Sequence, residues 1–193
     1  AGWLQWRPGA TEASLRQRAA LLKDIRRFFE ARDVLEVETP LLAAAPVTDP
    51  HIAALPVPHP CGAGELWLQT SPEYAMKRLL AAGVGPIYQI CKALRKDEAG
   101  SRHNPEFSLL EWYRPGFDLQ QLQAETLELL TQVLGARPTE VHSYAGAFQQ
   151  FLKLDIAAAS DAELAQYAAG FGDWPAHADR SDCLDFLFAS AIE

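Results

Sequence analysis

The residues able to do chemistry crowd between positions 95 and 114. Arg95 opens the stretch with a planar fork that matches phosphate oxygens two at a time. Lys96, Asp97, Glu98, Gly100, Ser101, Arg102, His103 and Asn104 follow as a polar run, and Glu106 to Arg114 reads as a strand. Side chains alternate along a strand, so Phe107, Leu109, Glu111 and Tyr113 share one face, while Ser108, Leu110, Trp112 and Arg114 share the other. One face therefore carries a ring, a carboxylate and a phenol in a row. A carboxylate inside an apolar run needs a partner, because an isolated buried charge is costly. Either a protein cation pairs with Glu111 or a cationic ligand does. On these residues alone an ion pair within a mixed-charge hairpin is slightly favoured.

The elements that must hold this window can be read outward from it. Pro86 to Arg95 is a strand, and with Glu106 to Arg114 it forms an antiparallel pair around a long polar loop. Hairpin loops usually take two to five residues, so a longer ordered one invites a functional explanation. Upstream, Leu66 to Thr70 is a strand. Ser71-Pro72-Glu73 starts a helix to about Ala82, with Ser71 as N-cap, Pro72 at the first position and an acid in the first turn. Ser71 and Glu73 need be no more than that cap and that acid. Residues 14 to 32 form an amphipathic helix capped by Ser14, with Leu15, Leu22, Ile25 and Phe29 at helical spacing. Val34 to Glu38 is a strand closed by Thr39-Pro40. Residues 43 to 64 are rich in proline and irregular, with a short strand at Ile52 to Val57. After Asp118 the chain turns helical. The helices are a segment capped by Asp118 and ended by Gly135, then Ser143 to Leu154, one opened by the box Ser160-Asp161-Ala162-Glu163, and Ser181 to Glu193.

Composition sets the outer bounds. The 193 residues are 49% hydrophobic and 22% charged, which is ordinary for a globular protein. The net charge of −8 argues against a surface that binds nucleic acid broadly. Three widely spaced cysteines, Cys61, Cys91 and Cys183, form neither a zinc pair nor a disulfide framework. No apolar stretch is long enough to span a membrane. Ala1 to Pro8 lacks a signal pattern, so a cytoplasmic protein is expected.

Several words in the sequence resemble the class II aminoacyl-tRNA synthetases. Phe28 to Pro40 is similar to their motif 1, a long helix, a strand and a closing proline. Leu94-Arg95-Lys96-Asp97 followed by Arg102-His103-Asn104-Pro105-Glu106-Phe107 resembles motif 2 in its lysine-type form, with the arginine eight positions before the histidine. Leu94 stands where an aromatic residue is usual, Lys96 where asparagine is commoner, and Asp97 where the family has glutamate. Thr70 to Tyr74 with Lys77-Arg78-Leu79 matches the same family. Val47-Thr48-Asp49, Thr70 to Tyr74 and Glu111 to Pro115 look most like the lysyl-tRNA synthetase paralogues that act as elongation factor P–lysine ligases.

The resemblance implies an α+β fold: a class II synthetase-like antiparallel sheet flanked by helices, incomplete at the C-terminus. Residues 14–117 would hold the motif 1 and motif 2 core and 118–193 a helical segment of one partial catalytic domain. It implies activation of lysine or β-lysine by ATP with Mg²⁺, then transfer to a lysine of elongation factor P rather than to tRNA. Arg95 would bind the α-phosphate as the catalytic group, Phe107 would stack on adenine, and Lys96, Asp97, His103 and Asn104 would line the ATP site. Ser71, Pro72 and Glu73 would hold the amino-acid end of lysine, with Glu111 and Tyr113 facing its pocket. A homodimer through residues 19 to 40 is expected. Nothing resembles motif 3, and Mg²⁺ ligands are expected beyond residue 193; these residues alone are expected to be a piece of a longer chain and inactive. Two other readings stand beside this one: part of a genuine lysyl-tRNA synthetase, or a non-catalytic module using the motif 1 surface.

Overall fold

The computed structural model describes residues 9–49, 52–96, 99–100, 103–172 and 179–192. They fall into two compact units, 1–137 and 138–193.

In the first unit, α1 (Glu12–Glu30) begins two residues before the expected cap. Thr11, not Ser14, is the N-cap, and its hydroxyl accepts from the Ser14 amide. Its apolar stripe buries Ile25, Phe28 and Phe29. Two three-stranded sheets follow. In the first, β5 (Ile87–Leu94) and β6 (Glu106–Tyr113) pair antiparallel over their whole lengths, with Gln89 opposite Glu111 and Ala93 opposite Phe107. The short β1 (Leu35–Glu36) adds to β5 in parallel, so this sheet is mixed rather than purely antiparallel. The second sheet is antiparallel, with β4 (Glu65–Leu68) between β2 (Leu42–Ala43) and β3 (Pro56–Pro58). The strand expected at residues 52–57 is thus shifted onto Pro56-Val57-Pro58, which flanks one edge of β4 where the lost proline donors matter least.

The core of this unit lies between α1, the sheet and α3 (Leu119–Leu134). Phe29 is fully buried, stacks on Tyr88 with centroids 4.4 Å apart and leans on Trp112 at 5.7 Å. Leu110 and Trp112 pack on that cluster, as the alternation along β6 predicts. Glu125 of α3 is buried and fastens the helix to the sheet. It accepts from the Trp112 indole at 3.1 Å and lies 3.3 Å from the Arg114 guanidinium. Burying that carboxylate is tolerable because it is paired. So α3 packs with the motif core, and the helical segment expected from residue 118 divides between the two units. Asp118 caps α3 in a capping box, and Gly135 ends it at φ 79°, where a side chain would be strained.

The second unit is helical. The single helix expected over 143–154 is instead a short α4 (Tyr144–Ala147) running into a π turn at residues 148–152 and stopping at Lys153, which is left-handed at φ 57°. Burying Phe148 while Phe151 stays half exposed fits the changed helical pitch. The capping box Ser160/Glu163 opens α5 (Asp161–Ala169) as the sequence predicts. The last helix, α6 (Arg180–Ala191), is capped by Asp179 rather than beginning at Ser181. Leu164, Ala168, Cys183 and Leu187 close a core with Phe148. Among the described residues no helix is long and apolar enough to cross a membrane.

Candidate functional site

The face of β5–β6 turned away from α1 carries the chemistry. Register places Ile87, Gln89, Cys91 and Ala93 of β5 opposite Tyr113, Glu111, Leu109 and Phe107 of β6. Ile87, Gln89 and Ala93 are buried, and Phe107, Leu109, Glu111 and Tyr113 are half-buried.

Arg95 follows β5 directly. Its guanidinium carbon stands 5.1 Å from the centre of the Phe107 ring, and Nε donates to the Thr70 carbonyl at 3.4 Å. Its amide donates to the Pro105 carbonyl at 2.9 Å, which closes the base of the long loop. The sequence thus brings cation and ring together because both sit at the open end of one antiparallel pair. Lys96 is exposed, and its amide donates to the Ala53 carbonyl at 2.8 Å. His103 and Asn104 are exposed where the loop returns, and the His103 carbonyl accepts from Gly100. Asp97, like Arg102, lies outside the described residues.

The Thr70 contact joins this cation to the start of α2 (Glu73–Ala81). Pro72 is buried and occupies the N-cap position without a side-chain cap, so the helix starts one residue later than expected. Ser71 still serves that end: its hydroxyl accepts from the Glu73 amide at 3.1 Å. Glu73 in turn holds Lys77 at 2.7 Å. Hydrogen bonding to Glu73 raises the Lys77 ammonium, and the charge of Glu111 adds to the rise.

Glu111 accepts a 2.6 Å hydrogen bond from the Tyr113 hydroxyl. Burial pushes the Tyr113 phenol up, and donation to Glu111 and the charges of Glu111 and Glu73 push it further, so Tyr113 remains a donor at physiological pH. No protein cation lies in ion-pair reach of Glu111 among the described residues. The ion pair favoured from the residues alone is therefore not the one formed; a neutral donor stands beside the carboxylate. Glu73, Lys77, Glu111 and Tyr113 form one electrostatic group with two carboxylates and one ammonium.

Several contributors escaped the sequence reading. Buried Gln89 lies across from Glu111 and accepts from the Thr39 hydroxyl at 3.0 Å. Cys91, on the same face, has its thiol pushed up by burial and by the charge of Glu111, against hydrogen bonds from Gln69 and Gln89. Gln89 and Cys91, two positions apart and so on one face of the strand, were the available signal. A hollow of about 310 Å³ opens beside Ser71 and Glu73, walled by Val47, Thr48, Asp49, Ile52, Thr70 and Tyr74. Among the described residues no group of three His, Cys, Asp or Glu side chains is placed to hold a metal ion.

Chemically, the arrangement offers an arginine fork beside an aromatic face at one end of a strand pair. Glu111 and Tyr113 lie toward the other end of the pair, and the charge of Glu111 reaches Lys77 on α2. The family model for tRNA synthetases class II (D, K and N) matches residues 1–169. The elongation factor P–(R)-β-lysine ligase of Pseudoalteromonas translucida is 51% identical over 97% of this chain and 60% of its own length. The enzymes of the same name from Pasteurella multocida and Erwinia tasmaniensis are each 47% identical with the same coverage. The chain spans about 60% of the length of the curated relatives it matches. With residues 1–169 matched, most of its length, the chain belongs to the class II tRNA synthetase family of the D, K and N type.

Proposed function

We propose that this chain carries the motif 1 and motif 2 part of a ligase that activates lysine or β-lysine with ATP and passes it to a lysine of elongation factor P. The observation that carries the reading is the placement of Arg95 over Phe107, in contact with the Thr70–Glu73 turn, on the face that also bears Glu111 and Tyr113. The names of the relatives supply the acceptor.

In the first half-reaction a carboxylate oxygen of the amino acid attacks the α-phosphorus, and the bond to the bridging oxygen of pyrophosphate breaks with its electron pair. Charge grows on the phosphate oxygens in that transition state. Arg95 neutralises it, and Phe107 offers its ring to adenine while supporting the guanidinium from one side. Lys96, His103 and Asn104 complete the nucleotide subsite from the loop. Glu73, steadied by Lys77 and by the Ser71–Glu73 turn, takes the amino group next to the reacting carboxylate; Pro72 fixes the entry angle of that turn. Glu111 receives the distal ammonium, with Tyr113 holding the carboxylate rotamer. Catalysis is then mainly positioning and charge neutralisation. Mg²⁺ bound with ATP would share in neutralising the phosphates; the described residues provide no ligand set for it.

The deciding experiment is ATP–pyrophosphate exchange by the complete gene product with lysine and with (R)-β-lysine. No amino-acid-dependent exchange would sink the reading. Glu111→Gln should raise the KM for the amino acid about tenfold or more, because it removes a charged partner from a half-buried site. An unchanged KM would move the distal ammonium elsewhere.

A homodimer through residues 19 to 40 belongs to the same proposal. Leu21, Leu35, Leu41 and Leu42 are all more than a third exposed along or beside that segment, and a second copy would cover them. Sedimentation at tens of micromolar, roughly where weak association becomes visible, is expected to show a dimer; monomer alone would refute it.

A further inference from the structure

The Val47–Asp49 segment takes no part in the adenylation step described above, yet it builds a wall of the hollow beside Ser71 and Glu73. That wall is tied down. The Thr48 and Tyr74 hydroxyls are 2.6 Å apart, the Thr48 amide donates to the same Tyr74 oxygen at 3.3 Å, and the Ile52 amide donates to the Asp49 carbonyl at 3.4 Å. Tyr74 is the neighbour of Glu73 on α2, so the segment is fixed to the helix that presents Glu73. The lining divides by chemistry. Val47 and Ile52 are aliphatic; Asp49 and Glu73 are carboxylates; Thr48, Thr70, Ser71 and Tyr74 bring hydroxyls. A long aliphatic amine needs this combination, an apolar wall for its methylenes and an acid, here Asp49, for its head. The transfer proposed above brings one further amine, that of the acceptor, to the activated carboxyl, beside the donor amino group that Glu73 holds.

We infer that this hollow is the entry subsite for the acceptor, a lysine side-chain amine carried on a protein, and that Asp49 leads its ammonium toward the acyl group held between Glu73 and Arg95. The inference rests on the adenylation reading. The acceptor ammonium first loses a proton to solvent. Its neutral nitrogen then bonds to the acyl carbon, and the bond from that carbon to the AMP oxygen breaks with its electron pair. The second nitrogen proton departs as the amide forms. Asp49 is a positioning residue in this sequence: it concentrates and orients the incoming cation, as a charge at the rim of a site does.

The test uses the complete gene product with Asp49→Asn, Asp49→Glu and Tyr74→Phe, and reads three quantities. These are pyrophosphate exchange, discharge of the adenylate to hydroxylamine, and transfer to elongation factor P. For Asp49→Asn the KM for elongation factor P should rise about tenfold, the size of one lost charge contact. Exchange and hydroxamate formation should stay within about twofold, since neither needs the acceptor subsite. Asp49→Glu should recover most of the transfer. Tyr74→Phe, which releases Thr48 without altering charge, should raise the same KM by a smaller factor. Exchange falling in step with transfer would assign the hollow to the donor amino acid and overturn the inference. Unaltered transfer by Asp49→Asn would overturn it as well. Absence of exchange in the unsubstituted protein would instead remove the adenylation reading on which it stands.

Discussion

Arg95→Ala is expected to lower amino-acid-dependent pyrophosphate exchange by about 30- to 1,000-fold, the equivalent of roughly 2–4 kcal/mol of transition-state stabilisation. The loss should fall mainly on kcat. A guanidinium that neutralises charge appearing on the α-phosphate contributes more in the transition state than in the bound substrate. Arg95→Lys should recover little, because a point charge cannot reproduce the fork or its stacking on Phe107, whose ring centre lies 5.1 Å from the guanidinium carbon. Circular dichroism should be unchanged, since the loop base is also closed through the Arg95 amide, which alanine retains. Exchange at the parental rate would remove Arg95 from the reaction.

Phe29→Ala should produce the largest loss of stability, about 3–5 kcal/mol in the first unit. The side chain has no exposed surface and touches Phe28 edge-on, Tyr88 face to face and Trp112 at a tilt. Its removal leaves a void walled by rings too rigid to collapse into it. It also deprives Tyr88 of the partner on which it stacks. Denaturant unfolding followed by circular dichroism and tryptophan fluorescence would measure the change. A loss below about 1 kcal/mol would mean that the cluster relaxes far more than a packed core does. Phe29→Leu keeps most of the apolar volume and should cost less than half as much. Activity in the alanine variant should fall only through the unfolded fraction, because Phe29 lies on the α1 side of the sheet and the Arg95–Phe107 pair on the other.

Local chemistry was enough to specify much of this protein. Alternation along Glu106–Arg114 fixed which side chains go to the core and which to the site, because one strand has two faces and only one could be covered by α1 and α3. Asp118, Ser160 and Gly135 marked helix ends through groups that satisfy backbone donors or accept a left-handed φ, and these signals act within a few residues. The same locality explains the misplaced boundaries. Thr11 and Ser14 are both competent caps, and Thr11 took the role, its hydroxyl accepting from the Ser14 amide. The interruption at residues 148–152 followed from packing around Phe148, which helical spacing does not foretell.

For the site, the residue types of Arg95, Phe107, Glu73 and Glu111 were legible in the sequence, together with the loop that sets the first two side by side. The partner of Glu111 was not. A carboxylate in an apolar run demands a partner, but which one depends on distances across a turn and between strands, and here the neighbouring Tyr113 took the place expected of a cation. Glu125 shows the same division. Its sequence context is an ordinary helix surface, yet folding buries it against Trp112 and Arg114 and makes it the polar tie between α3 and the sheet. The sequence alone determined the periodicities, the helix ends and the inventory of charged groups, because these depend on neighbours along the chain. Tertiary structure decided which of those charges meet, that β1 joins β5 in parallel, and that Val47–Asp49 comes to stand beside Glu73, because contacts between distant segments are set by how whole faces pack.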